Sequence, residues 1–270
     1  MTQKLIDQIL KATVYDLAVE TPLDKAPLLS QRLQNSIFLK REDLQEVFSF
    51  KLRGAYNKMS HLTTAQKKAG IVASSAGNHA QGVALAAQKL GIHAHIIMPK
   101  TTPTIKVNAV KAKGAKITLT GDTYDEAYAF AQALSKEQKK PFIHPYDDEH
   151  VIAGQGTIGV ELIRQHSEPI FAIFIPVGGG GLISGVASYI KHINPNIKII
   201  GVEPEDAPCM HDALKAGKRI TLPHVGIFAD GVAVKQVGKL PFRIAQKVVD
   251  EVVLVSIDEI CAAVKDIFED

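Results

Sequence analysis

Lysine, asparagine, histidine and glycine gather in three short segments whose spacing could support covalent and anion-binding chemistry. In Ser49-Phe50-Lys51-Leu52-Arg53-Gly54-Ala55 a lysine opens a predicted helix beside an aromatic ring. An amine attacks a carbonyl carbon only after losing its proton, and partial burial together with nearby cationic charge such as Arg53 favours that form. Most lysines are solvated, so Lys51 gains weight only from its company. Ser74-Ser75-Ala76-Gly77-Asn78-His79 falls between a predicted strand and a predicted helix, at the carboxyl end of a parallel strand, where α/β proteins place ligands. Its small residues let backbone N–H groups approach an anion, and the helix start favours a carboxylate. A tight turn capped by Asn78 accounts for the same residues equally well, and His79 alone fits a packed or capping histidine better than a catalytic one.

The sharpest signal is Pro176-Val177-Gly178-Gly179-Gly180-Gly181-Leu182, which follows an apolar strand and opens another helix. Consecutive glycines expose a row of N–H groups able to wrap a phosphate, whereas a structural turn needs one or two, each extra glycine adding chain entropy to be lost. The dinucleotide fingerprint fails because Ser184 stands where its third glycine belongs, although Glu203 imitates the ribose-binding carboxylate and keeps a nicotinamide enzyme as runner-up. No Gly-Lys-Ser/Thr phosphate loop occurs, so a small monophosphate ligand fits better.

These segments must be held by a scaffold. From Ile71 onward, short β-branched runs alternate with stretches of helical period, the pattern of parallel strands joined by crossover helices, and the fold class is α/β. Predicted strands are Ile71–Ser74, Ala94–Met98, Lys116–Leu119, Phe171–Val177, Ile197–Val202 and Val252–Val255, the fifth apolar enough for both faces to be covered. Ala80, Val83, Ala84, Ala87 and Leu90 form one helical stripe ended by Gly91; Tyr124, Ala127, Tyr128, Ala131 and Leu134 form another, with Asp122 as its N-cap.

Net charge is +3 from 31 basic and 28 acidic residues without a concentrated basic patch, which argues against nucleic-acid binding. No run reaches the roughly 18 uncharged apolar residues of a membrane span, and the amino terminus has no export signal. Cys209 and Cys261 are expected to be reduced, buried thiols, as in the cytosol.

Taken together, Ser49 to Ala55, Ser75-Ala76-Gly77-Asn78-His79-Ala80-Gln81-Gly82 and Val177 to Leu182 resemble, in order and spacing, the three signatures of the serine/threonine dehydratases of the β (fold type II) pyridoxal-phosphate family. Thr21-Pro22-Leu23, Lys40-Arg41-Glu42-Asp43, Ala153-Gly154-Gln155-Gly156-Thr157 and Phe228 to Val234 are similar as well, and Asp258 to Asp270 resembles the biosynthetic threonine branch. The resemblance implies two open α/β domains with pyridoxal 5'-phosphate in the interdomain cleft, a small one at 44–146 and a large one from 1–43 and 147–270. It implies that Lys51 joins the cofactor and later removes the substrate's α-proton, that Phe50 packs beside the ring, and that Asn78 meets the ring hydroxyl. Gly178, Gly179, Gly180, Gly181 and Leu182 are expected to hold the phosphate, Gly231 to let its backbone lie close to the ring, and Ser75, Ala76, Gly77, Asn78 and His79 to grip the substrate carboxylate. The implied reaction converts threonine, and serine, to a keto acid and ammonia at the head of isoleucine biosynthesis, in a cytosolic dimer or tetramer.

Family members continue past the position of Asp270, completing the large domain and adding a regulatory one, so the resemblance implies a carboxyl-terminal truncation. The absent segment would carry the residue meeting the pyridine nitrogen. Any metal site is undefined. Two alternatives stand beside the lyase: an inert remnant that binds cofactor or a partner, and a serine-racemase-like enzyme.

Overall fold

The computed structural model describes residues 3–270. In chain order the elements are α1 (Gln3–Leu10), β1 (Leu23–Lys25), α2 (Pro27–Leu33), β2 (Phe38–Lys40), α3 (Lys51–Ser60), α4 (Thr64–Ala69), β3 (Ile71–Ser74), α5 (Asn78–Leu90), β4 (Ala94–Met98), α6 (Thr104–Lys111), β5 (Lys116–Leu119) and α7 (Tyr124–Glu137). They continue with α8 (Glu149–Gln165), β6 (Ala172–Pro176), α9 (Gly181–Ile193), β7 (Lys198–Pro204), α10 (Cys209–Ala216), α11 (Lys239–Val248), β8 (Glu251–Val255) and α12 (Ile257–Glu269). The chain divides into two compact units, one from Lys11–Val19 and Asp43–Gln155, the other from the residues through Leu10, Glu20–Glu42 and Gly156–Asp270.

The unit centred on Asp43–Gln155 is built on a parallel sheet of order β3-β4-β5. Alternation sorts its side chains: Ile71, Ala73, Ile96 and Met98 enter a core with Ala55 and Met59 of α3 and Val83, Ala84 and Ala87 of α5, while Val72 and Ile97 meet Ala127 and Ala131 of α7 on the other face. Gly91 ends α5 as expected, in the left-handed conformation at φ 65°. At α7 the cap differs from expectation. Thr123, not Asp122, is the N-cap, because its hydroxyl accepts the Glu126 amide at 3.3 Å while the Glu126 carboxylate reaches back to the amides of Thr123 and Asp122.

The other unit holds a parallel sheet of order β6-β7-β8 and a small antiparallel β1-β2 ribbon. Helix α1 packs its buried Ile6 and Ile9 in this unit, and a Cβ on Gly156 would lie 2.7 Å from Ile9, so glycine permits that approach. Strand β7 is less covered than its apolar sequence suggested. Ile199, Gly201 and Glu203 are buried, but Ile200 and Val202 on the opposite face are only half-buried, and neighbouring Phe174 of β6 is 64% exposed. An apolar run states what a strand can bury, not what lies over it. Lys40 is held by Glu161 at 2.5 Å, the Thr21 carbonyl and Gln165, which tie β2 to α8 within the unit. Among the described residues, no helix is long and apolar enough to cross a membrane.

Candidate functional site

Helix α3 begins at Lys51, whose backbone amide donates to Ser49 Oγ at 3.3 Å. The amine stands 5.2 Å from the centre of the Phe50 ring and 3.4 Å from the Pro145 carbonyl oxygen. Burial lowers its pKa from 10.5 to about 8, enough for a reactive fraction of neutral amine near physiological pH. Arg53 has no part in this. It is fully buried, its guanidinium donating to the Val19 carbonyl and lying over the Tyr15 ring, because positions two apart on a helix do not share a face.

Gly82 brings the second segment alongside. A Cβ there would fall 2.9 Å from the Leu52 nitrogen and 3.1 Å from the Lys51 carbonyl carbon, so only glycine lets α5 pass this close to the first turn of α3. The Ser75 to His79 loop therefore sits beside Lys51 in the same unit. Gly77, not Asn78, takes the N-cap position of α5, and its amide donates to Ser75 Oγ at 3.2 Å. Asn78 is exposed as the first helical residue, Ser75 and Ala76 are half-buried, and a Cβ on Gly77 would meet no atom of the described residues within 4 Å. Just before the loop, the buried Ser74 hydroxyl has no hydrogen-bond partner among the described residues. His79 is 4% exposed with Nε2 3.0 Å from the Ile143 carbonyl; burial first, then the charge of Lys51, draws its pKa down to about 3. It is thus a neutral donor to the backbone.

In the other unit, the glycine row turns from β6 into α9. Gly179, Gly180 and Gly181 are buried, Gly178 and Leu182 half-buried, and the amides of these residues have no acceptor among the described residues. Helix α9 aims its amino-terminal end at them. Two of the glycines sit where the space is tight. A Cβ on Gly178 would lie 3.1 Å from Val232 Cα and 3.2 Å from Val234 Cγ2; Gly180 adopts φ +88° with Met210 Cε 2.7 Å and Pro241 Cβ 2.9 Å from its absent Cβ. The first of these packs the Phe228 to Val234 segment against the glycine row, placing Gly231 beside it, and a Cβ on Gly231 would meet no protein atom within 4 Å.

A buried row of unpaired amides at a helix start suits a phosphate monoester, and a half-buried amine of lowered pKa suits an aldehyde. The residues present fit pyridoxal phosphate on both counts.

Glu203 has a different use from the ribose contact its position imitates. It accepts from the amides of Met210 and His211 at 2.9 and 2.8 Å, capping α10, and from the Cys209 thiol, which also lies 3.4 Å from the Gly178 carbonyl. Both carboxylate oxygens are engaged, so the nicotinamide reading loses its acidic partner. Cys209 is buried as expected, but Cys261 is exposed on α12. Burial raises Glu203 from 4.5 to about 7, against the opposing pull of those amides. The folded protein therefore binds a proton there that the unfolded chain has released, and this group's contribution to stability falls as pH rises from about 4.5 through 7. His79 works in the opposite sense, since its stabilising neutral state is lost as pH falls from 6.5 toward 3. Subtracting the Glu203→Gln profile from that of the unaltered protein isolates the carboxyl: denaturant titrations are expected to show a relative gain by the variant on the order of 3 kcal/mol between pH 5 and 8. A difference independent of pH would contradict it.

Sequence reading missed His144, Pro145 and the capping role of Glu203. Only the unusual His144-Pro145-Tyr146-Asp147-Asp148 run, polar and aromatic between two predicted elements, could have hinted at the first two.

The family model described as "Pyridoxal-phosphate dependent enzyme" matches residues 14–270. The chain is 53% identical over 268 residues to the biosynthetic L-threonine dehydratase of Burkholderia multivorans, covering 98% of this chain and 53% of that protein. Among solved structures it is similar to the processed threonine deaminase isoform 2 of Solanum lycopersicum, with TM-score 0.96 and 52% identity over 98% of this chain and 77% of that one. Maize serine racemase is similar with TM-score 0.94 and 36% identity, over 98% and 80%. The chain spans about half the length of the curated relatives it matches.

Proposed function

Because this chain belongs to the pyridoxal-phosphate-dependent enzymes, we propose that it carries the catalytic part of a threonine ammonia-lyase, which converts threonine, and serine, to a keto acid and ammonia. The observation that carries the proposal is Lys51: an amine drawn down to about 8 by burial, at the position of the family's lysine signature. The threonine preference is supported by similarity to the dehydratase of Burkholderia multivorans.

On this reading Lys51 would hold the cofactor covalently, Phe50 and the Gly231 backbone would contact its ring, Asn78 would donate to the ring hydroxyl, and the amides of Gly178, Gly179, Gly180, Gly181 and Leu182 would bind its phosphate. When bound, the cofactor supplies a conjugated sink for the electron pair released at the substrate's α-carbon. The amides of Ser75, Ala76, Gly77, Asn78 and His79 hold the substrate carboxylate at the start of α5 and fix the amino acid's orientation. As a free neutral amine, Lys51 would take the α-proton. Loss of the β-hydroxyl and hydrolysis then give 2-oxobutanoate and ammonia from threonine, the water lost in the first step being regained in the second. The two units correspond, in this proposal, to the small and large domains of the family; a cytosolic location and assembly as a dimer or tetramer belong to it as well.

Incubation of the cofactor-loaded chain with L-threonine is expected to yield 2-oxobutanoate, read as its hydrazone, together with equimolar ammonia. A loaded protein that makes no keto acid from threonine or serine at high concentration is an inert remnant. The similarity to maize serine racemase favours one rival specifically, and D-serine accumulating faster than pyruvate would establish it in place of the lyase.

A further inference from the structure

Between β5's crossover helix and α8, the chain passes under Lys51 as the segment Phe142-Ile143-His144-Pro145-Tyr146-Asp147. Its first half is fixed by backbone bonds to β3, with Val72 donating to the Pro141 carbonyl and Ile143 to the Val72 carbonyl, each at 2.9 Å. Its last residues are fixed by α8, whose His150 and Val151 amides are capped by Asp148, itself paired with Lys58. Between these anchors, the Pro145 carbonyl meets the Lys51 amine. Proline has no amide, so the turn lacks one of the donors that would ordinarily brace it.

The brace is His144. Its Nδ1 lies 2.8 Å from the Asp147 nitrogen and 3.2 Å from the Tyr146 nitrogen. A ring nitrogen that accepts from two N–H groups holds no proton of its own, so the imidazole is neutral, with its hydrogen on Nε2. The ring is set edge-on against Tyr146 at 4.6 Å and lies 6.1 Å from both Phe142 and Tyr128, which confine it to that orientation. On the other side of the carbonyl, buried His79 donates to Ile143, two residues before Pro145. Two uncharged imidazoles thus hold the turn from either flank.

We infer that His144 is a positioning residue for Lys51: by accepting the Tyr146 and Asp147 amides it fixes the turn whose Pro145 carbonyl directs the lysine amine. The inference rests on Lys51 being the reactive amine. A carbonyl at this place favours the protonated amine and limits the rotamers of a side chain that otherwise has four free torsions. The groups of the same unit that face Lys51 are His79 from α5 and His144 from the turn, with Asp147 and Asp148 beyond the latter, and protonation of either imidazole would repel the ammonium.

The test compares His144→Phe, which keeps an aromatic ring without an acceptor, with His144→Asn, whose carbonyl oxygen can receive both amides. In the cofactor-free protein, the pH dependence of Lys51 modification by an amine-directed reagent, followed by peptide mass mapping, reports the pKa of that amine. His144→Phe is expected to lower it by about half a pH unit or more, and in the loaded protein to lower kcat about tenfold with KM for threonine little changed; His144→Asn is expected to recover most of both. Equal behaviour of the Phe variant and the unaltered protein in both assays, or an Asn variant as impaired as the Phe variant, overturns the proposal. Should either variant misfold, ¹⁵N resonances of the unaltered protein decide: an unprotonated Nδ1 and protonated Nε2 from pH 6 to 8 support the brace, and a doubly protonated or reversed ring there refutes it. Labelling needs no turnover, so a protein silent toward threonine that still shows the shift would fail as a lyase while keeping this inference.

Discussion

Replacement of Lys51 by alanine is expected to abolish visible absorbance from bound cofactor after dialysis and to lower keto acid formation by about 10³-fold or more, the range associated with loss of a positioned base. The fold should survive. A lysine whose pKa is depressed from 10.5 to about 8 is a burden on stability at pH 7, because burial penalises the ammonium, and the penalty corresponds to something on the order of 3 kcal/mol before packing losses are subtracted. The sign follows from linkage: the unfolded chain binds this proton more tightly, so the unaltered protein gains stability as pH rises from about 8 to 10.5, and the variant lacks that gain. At pH 7 Lys51→Ala should therefore melt no lower than its parent, which separates lost chemistry from lost structure. Small primary amines added to the variant are expected to restore a measurable part of the rate. In the unaltered protein, capture of added cofactor should accelerate about tenfold per pH unit below 8 and level off above it, following the neutral fraction of the amine. A variant that keeps its colour and its rate would remove Lys51 from the reaction altogether.

What the sequence could disclose follows the range of the forces involved. Strands Ile71–Ser74, Ala94–Met98 and Lys116–Leu119 were legible to the residue because β-branched runs between polar turns are a local signal, and the stripe ending at Gly91 was legible because left-handed caps want glycine. The cap of α7 was missed by one position, since Asp122 and Thr123 are both good caps and only the reach of Glu126 decides between them. Adjacency in sequence suggests a role for Arg53 at Lys51, but helical geometry turns it to Val19 and Tyr15. Glu203 fits a dinucleotide pattern by position, yet its acceptors are spent on the start of α10, a contact that spacing cannot reveal. The Pro145 carbonyl carries no side-chain signature at all, so its meeting with Lys51 emerges only from tertiary packing.

Gly180→Ala is expected to produce the largest loss of cofactor affinity obtainable from a single added methyl group. The residue lies at φ +88°, where a Cβ costs about 1–2 kcal/mol by itself. Its new methyl would also stand 2.7 Å from Met210 Cε and 2.9 Å from Pro241 Cβ. Met210 is the end of a flexible side chain and can yield, but Pro241 is a ring at the first turn of α11 and cannot move without the helix. The strain has two outlets. If the loop holds its shape, stability falls by about 2–5 kcal/mol, the sum of conformational and overpacking costs. If instead the loop shifts, the amides of Gly178 to Leu182 lose their common focus and the phosphate is bound less well. Because the Pro241 ring cannot yield, the loop shift is the expected outlet, and an apparent dissociation constant raised about 30-fold or more is the expected reading. Gly217→Ala supplies the control. That residue caps α10 at φ +66° with nothing within 4 Å of a Cβ, so it carries the conformational cost alone. It should lose roughly 1 kcal/mol of stability and bind cofactor as before. Matching losses of affinity in the two variants would mean that the glycine row matters only as a turn, and the anion-binding role assigned to its amides would have to be given up.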